Sequence, residues 1–252
     1  MNAPAVEAAA HFVAKWHRRE PEMALAEVFS APGQRERFRA WGALAHELRE
    51  AAFELSDARV TAVKCQWWAE ELVRLGQGAG RHPVSTALAV PALPWPRLAR
   101  TLLDQAQYDA RPADAAEAIT PLLPFAQALA EVEAGLFDAP AADARAIVVH
   151  WLLHRLPAGL ASPDQARLPL KLLARHGLTV DQVAQGQGEA LLADWATMLL
   201  AETAPSGQGS LFARLRHRYT RARLQRLAAG KGFAPPPGFA SVWRAWRVAR
   251  GR

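Results

Sequence analysis

Residues 33–76 read GQRERFRAWGALAHELREAAFELSDARVTAVKCQWWAEELVRLG. Between residues 33 and 55, Phe38, Trp41, Leu44, Ala45, Leu48 and Ala52 recur at steps of three and four, the period that puts apolar side chains on one side of a helix. Ser56-Asp57 interrupts the pattern. Asp57 can accept from the free backbone N–H groups of a following first turn, so a second helix is expected from there through Trp67 and Leu72 to Gly76. The glycine-rich turn GQGAGRHP (76–83) stops it.

The same punctuation continues outward. Residues 90–96 form a proline-broken linker. Helical blocks are expected over 96–108, 114–136, 141–156, 169–175, 179–185, 188–204, 210–229 and 237–248. Gly177 ends one helix, and Thr179 with Asp181 and Gln182 starts the next. No alternating run with Asn-Gly or Asp-Gly turns occurs anywhere. The expected fold class is therefore all-α, one domain over residues 1–252, with an arginine-rich part from about residue 211.

Composition sets limits. A chain of 252 residues, 51% hydrophobic and 21% charged, can bury a sizeable core. Nine tryptophans against two tyrosines suit wide spaces between helices, or a pocket. A single cysteine, Cys65, excludes an internal disulfide framework and fits a reducing cytoplasm. The first residues lack a signal-peptide pattern. The longest apolar stretch, 146–153, is interrupted by His150, far short of the roughly 18–20 residues a span requires. The expected setting is cytoplasmic, with peripheral membrane attachment as its extension.

The net charge of +6 is unevenly spread: eleven Lys and Arg and no Asp or Glu lie from Leu211 onward. Such a segment is either a solvated arginine-rich helix face or a surface for an acidic partner or anionic membrane. The lack of a zinc-finger, RNA-binding or helix-turn-helix signature argues against nucleic acid.

Generic catalytic motifs are absent. Gly230-Lys231-Gly232 lacks the rest of a phosphate loop, and no GxSxG elbow exists. His150 and His154 lie one helical turn apart and could face one metal, but no sequence neighbour completes a ligand set; polar histidines at a helix surface or groove are expected. Cys65 reads as a buried structural thiol despite Lys64 beside it. Asp104, Asp109 and Asp114, at five-residue steps, read as surface charge.

Two stretches carry a family resemblance. In the first, Lys64, Gln66, Trp67, Trp68 and Leu72 precede His82-Pro83. In the second, Arg167-Leu168-Pro169 leads to His176-Gly177-Leu178. Phe125-Ala126 in PLLPFAQALAEVEAGLF and the C-terminal PPPGFASVWRAWRVAR add to them. Together they resemble the squalene and phytoene synthase family over most of residues 33–250. The resemblance implies an isoprenoid-synthase-type helical bundle around a central cavity. Active members condense two prenyl diphosphates head to head in terpenoid and carotenoid synthesis, and their paired aspartate motifs hold magnesium against the diphosphates.

The aspartates are missing here. Counting back from Gln66-Trp67-Trp68 puts the first pair near Arg49 and Phe53. Counting back from Leu168-Pro169 puts the second near Leu156 and Leu160, with Pro157 expected to break the helix. A degenerate branch of the family, which assists assembly of respiratory complex I in mitochondria, is similar in lacking them. The resemblance thus implies a non-catalytic protein without cofactor that binds a lipid, an isoprenoid or a protein partner. The alternatives are a divergent prenyltransferase, which would need magnesium and use glutamates, and a membrane-surface adaptor. Arg49, Arg155 and Arg167 are candidate anion contacts. Phe53, Lys64, Gln66, Trp67, Trp68 and Phe125 are the remaining candidate cavity residues.

Overall fold

The computed structural model describes residues 3–90, 92–107, 111–161, 167–205 and 207–251. It is all-α, with no strand among the described residues. The α-helices in chain order are α1 (Ala3–Arg19), α2 (Pro21–Ala26), α3 (Arg35–Phe53), α4 (Ala58–Gly76), α5 (Trp95–Ala106), α6 (Ala115–Ile119), α7 (Leu123–Phe137), α8 (Ala144–Ala161), α9 (Leu170–His176), α10 (Val180–Gln182), α11 (Glu189–Ala201), α12 (Leu211–Ala228) and α13 (Gly238–Ala249). Among the described residues no helix is long and apolar enough to cross a membrane.

Local signals act as read. Asp57 accepts from the N–H groups of Arg59 and Val60 and starts α4. Thr179 and Gln182 form a reciprocal capping box, and Gly177 ends α9 with φ +62°, a left-handed conformation that a glycine adopts without a Cβ penalty. Ser210 accepts from Ala213 N–H and opens α12.

Residues 3–26, ahead of the helical blocks read from the sequence, form α1 and α2. Three expectations are corrected. The block 114–136 is broken by a 3-10 turn at Thr120–Leu122, where Pro121 has no N–H for an α-type bond. The block from Thr179 ends as α-helix at Gln182 and gives way to a wider turn over Val183–Gln187, in which Gly186 takes φ +89°. Pro157 does not end α8, which runs on to Ala161. The proline costs one main-chain bond there, while Leu152, Leu153 and Leu156 before it are buried and hold the helix to the core. Tyr108 and Asp109 lie outside the described residues. Of the other two aspartates, Asp104 is exposed, and Asp114 caps α6 and pairs with Lys171 at 2.7 Å.

The helices wrap α3. It packs against α1, α4, α5 and α7, and α8 closes the layer by packing on α7 and α12. Trp16, Trp41, Trp95, Trp195, Phe38 and Phe125 are among the largest fully buried side chains. The Trp16 ring lies directly on Gly42, so a Cβ there would overlap it; α1 and α3 approach this closely only because position 42 has no side chain. Cys65 is buried, and burial pushes its thiol up to about 11, as a structural thiol requires.

Candidate functional site

The periodicity of α3 accounts for one apolar stripe, yet the helix is buried on most of its circumference, including His46, Glu47 and Arg49. That burial brings charge to the centre of the bundle. Arg49, 2% exposed, donates from Nη1 to Glu20 Oε1 at 2.8 Å and from Nε to Glu54 Oε1 at 2.9 Å. It also meets His150 Nε2 and His46 Nδ1, each at 3.0 Å. Arginine has only donors, so both of those ring nitrogens accept. His150 therefore carries its proton on Nδ1 and donates to Thr220 Oγ1 at 3.0 Å. His46 carries its proton on Nε2, buried without a hydrogen-bond partner and 3.7 Å from Glu50 Oε2. His154 stacks its ring 4.3 Å from that of His150.

Burial sets the charge states. It lowers the pKa of His46 to about 3 and of His150 to about 4, and it holds His154 well below the ordinary value. Arg49 acts in the same direction on all three. Burial works to raise the Glu20 carboxyl, but His150 and His154, once protonated in acid, and Arg49 hold it well below the usual carboxylate range. Burial alone would lower Arg49; Glu20 and Glu54 outweigh it and keep the guanidinium charged. The centre at neutral pH is thus one guanidinium between two carboxylates, flanked by neutral imidazoles.

Glu20, His150 and His154 present ligand atoms close enough for one metal ion, as do His46, Glu47 and Glu50. Both sets are already engaged. Arg49 takes the lone pair of His150 Nε2 and one oxygen of Glu20. Lys15 Nζ lies 2.7 Å from both Glu47 and Glu50, and Lys64 reaches Glu50 at 3.1 Å. The remaining space, bordered by Trp16, Gly42, His46, Leu129, Trp151 and Phe212, is a cavity of about 10 Å³, room for about one water molecule.

The candidate residues named from the sequence separate into three places. Arg49 alone lies at the centre. Phe53 is buried with its ring 5.3 Å from Trp151, which stacks on Phe125 at 4.9 Å. Arg155, also buried, sits over the Phe53 ring at 5.8 Å. Phe53, Arg155 and Arg167 border a crevice of about 20 Å³, too small for a diphosphate.

The third place is the α4 surface, and here the cavity assignment is corrected. Trp67 is 45% exposed, and Gln66 is exposed and donates to Glu70 at 3.0 Å. Trp68 is buried, but against His82 at 4.7 Å, with Phe12 on the same imidazole at 4.4 Å. Glu71 Oε1 accepts from the N–H groups of Arg81 and His82 and from Ser85 Oγ. The tryptophan pair and the His-Pro turn are thus one local packing unit, away from the centre.

Two further corrections concern polar residues. His150 and His154 are not at a surface or groove; both are buried. The basic C-terminal segment is not uniformly solvated. Arg223 donates to both Glu22 oxygens at 2.6 and 2.8 Å. Arg216 donates to Glu133 at 2.9 Å, and Glu133 also accepts from Trp41 Nε1 and Ser210 Oγ. These arginines staple α12 to α2 and α7. Glu20, Glu22 and Glu133 escaped the sequence reading because their partners lie 29 to 201 residues away, a separation that no local pattern encodes; His46 meets Arg49 and Glu50 within one turn of α3, but its burial comes from the tertiary packing of that helix.

The magnesium implied by the resemblance does not fit. A cation, Arg49, stands at one aligned position, and Phe53, Leu156 and Leu160 are apolar at the others, whereas magnesium requires oxygen ligands. A roomier space lies outside the centre: a groove of about 410 Å³ between α1, α3 and the turn at 83–87, walled by Ala9, Val13, Ala14, Ala40, Pro83 and Val84. In comparison with known proteins, no family model matches the chain and no curated protein matches it.

Proposed function

We propose that this chain is a non-catalytic relative of the squalene and phytoene synthases that works by binding an isoprenoid, a lipid or a protein partner on its outer surface. Arg49 carries the reading. Its buried guanidinium occupies the centre of the bundle and neutralises Glu20 and Glu54 with a side chain rather than an ion. The glutamates that a divergent prenyltransferase would substitute for aspartates are engaged as well: Glu47 and Glu50 by Lys15, and Glu54 by Arg49 and Arg19. A prenyl chain has no room in a space of about 10 Å³. The groove beside α1, at about 410 Å³ with an alanine- and valine-rich wall and His17, Glu27, Glu36 and Arg39 also lining it, falls in the range of small-molecule sites and is the place where an isoprenoid or acyl chain would lie.

The test is incubation of the purified chain with farnesyl or geranylgeranyl diphosphate and magnesium. No condensed product above a heat-killed control is expected. Turnover would remove the non-catalytic reading and restore the prenyltransferase.

A further inference from the structure

We propose that the outer face of α13 is a docking surface for an anionic lipid bilayer. The inference goes beyond the proposed function and holds whichever chemistry the centre supports. α13 reads GFASVWRAWRVA. Its inward side is small: Ser241 and Ala245 are buried, and Ser241 O accepts from Tyr219 O–H at 2.9 Å, which ties the helix to α12. Its outward side is large and apolar, with Phe239 87%, Trp243 49% and Val242 38% exposed. α13 also packs on α2 and on the turn Glu27–Phe29. Those two elements bring Leu25 and Val28, 41% and 57% exposed, to the same corner of the molecule.

Arginines frame this apolar corner. Arg247 lies over the Trp243 ring at 5.0 Å and Arg250 over Trp246 at 4.9 Å, each one turn beyond its aromatic partner. Arg218 on α12 joins them: after burial, the neighbouring Arg244 and Arg247 are what lower its pKa. Among the described residues, no carboxylate pairs with Arg218, Arg244, Arg247 or Arg250, and Arg244 Nη1 is buried without a hydrogen-bond partner. This contrasts with Arg216 and Arg223 on the inner side of α12, both engaged by glutamates. The segment divides its basic residues into inner staples and outer cations left for an external anion.

The chemistry of the face selects its partner. Exposed Phe and Trp on an amphipathic helix bury in the boundary between headgroups and acyl chains. Guanidinium groups stacked on those rings are held at headgroup level, where they can bond phosphate bidentately. Leu25, Val28 and Val242 add aliphatic surface suited to acyl chains rather than to stacked bases. A second copy of the chain is disfavoured, because a two-fold contact through this face would set arginine against arginine.

The experiment is co-sedimentation of the full chain with vesicles of phosphatidylcholine alone and of phosphatidylcholine mixed with phosphatidylserine. Each basic residue near an anionic surface contributes about 1 kcal/mol, so the four outer arginines should favour the anionic vesicles by up to about a thousandfold, a preference that salt weakens. The double variant Arg247→Gln/Arg250→Gln should lose at least about tenfold of that preference. Phe239→Ser/Trp243→Ser should release the chain from anionic vesicles without a change in thermal midpoint. Equal binding to both vesicle types, no binding to either, or a loss in Phe239→Ser/Trp243→Ser that follows unfolding would overturn the proposal. So would sedimentation as a dimer that Phe239→Ser dissociates, or displacement of the chain from vesicles by a single-stranded oligonucleotide.

Discussion

Replacing Arg49 with methionine probes the centre most directly. The substitution keeps much of the volume and removes the charge. Glu54 retains Arg19 at 2.9 Å, so its loss is partly covered. Glu20 is left with His150 at 3.5 Å, an imidazole that is neutral at pH 7 and does not compensate its charge. Stranding a buried carboxylate costs about 3–5 kcal/mol, a large share of the roughly 5–15 kcal/mol that holds a domain folded. For a chain of this length that is a fall in midpoint of about 10 °C. The assay is urea unfolding followed by tryptophan fluorescence, in a double-mutant cycle with Glu20→Gln. Arg49→Met/Glu20→Gln should recover at least about 2 kcal/mol relative to the sum of the single changes. A pH effect accompanies it. Arg49 is one of the groups that lower the His150 pKa, so without it protonation of His150 toward Glu20 is easier and the variant loses less stability than the native chain as pH falls below the unfolded value of 6.5. The deficit of Arg49→Met should therefore shrink from pH 8 to pH 6. A single-variant loss under about 1 kcal/mol, or a coupling near zero, would refute the claim that this arginine neutralises the centre.

Acid should unfold the native chain early. The folded pKa values of His46, His150 and His154 lie below 6.5, so the unfolded state binds more protons below that pH. Stability is then full above about pH 6.5 and falls toward pH 4 with a limiting slope of roughly 4 kcal/mol per pH unit for three protons; a flat urea midpoint between pH 7 and 5 would contradict the buried neutral assignment. Gly42→Ala should destabilise by about 1–3 kcal/mol through overlap with Trp16, measured as a lowered urea midpoint, whereas Gly33→Ala, with open space around it, should not. Glu71→Ala removes the acceptor for two N–H groups and Ser85 Oγ; hydrogen exchange should accelerate at Arg81 and His82, with a global loss of about 2–3 kcal/mol.

The signals that proved readable were short in range. The step of Phe38, Trp41, Leu44 and Leu48 gave α3, Asp57 the start of α4, and Thr179-Gln182 and Gly177 the two ends of a helix junction. Each depends on atoms within about one turn of the chain, so the local sequence contains the whole cause. Trp67, Trp68, His82 and Pro83 were legible as a unit but not as to place: their spacing is equally compatible with a cavity wall and with the surface nest that they form. Pro157 was misread because tertiary packing of Leu152, Leu153 and Leu156 outweighs one lost bond.

The sequence by itself determined an all-helical chain, the stops and caps of its helices, and the residue types, Arg49, Phe53, Leu156 and Leu160, at the positions where the resemblance implies metal-holding carboxylates. The tertiary structure decided what they meet. Arg49 meets Glu20 across 29 residues and His150 across 101. It also decided which arginines of the basic segment turn inward to Glu22 and Glu133 and which remain outside on α13. The physical reason is the same in each case. A charge is driven to a partner by the cost of leaving it unpaired in a dry interior, and only the folded arrangement of α2, α3, α7, α8 and α12 settles which partner is within reach.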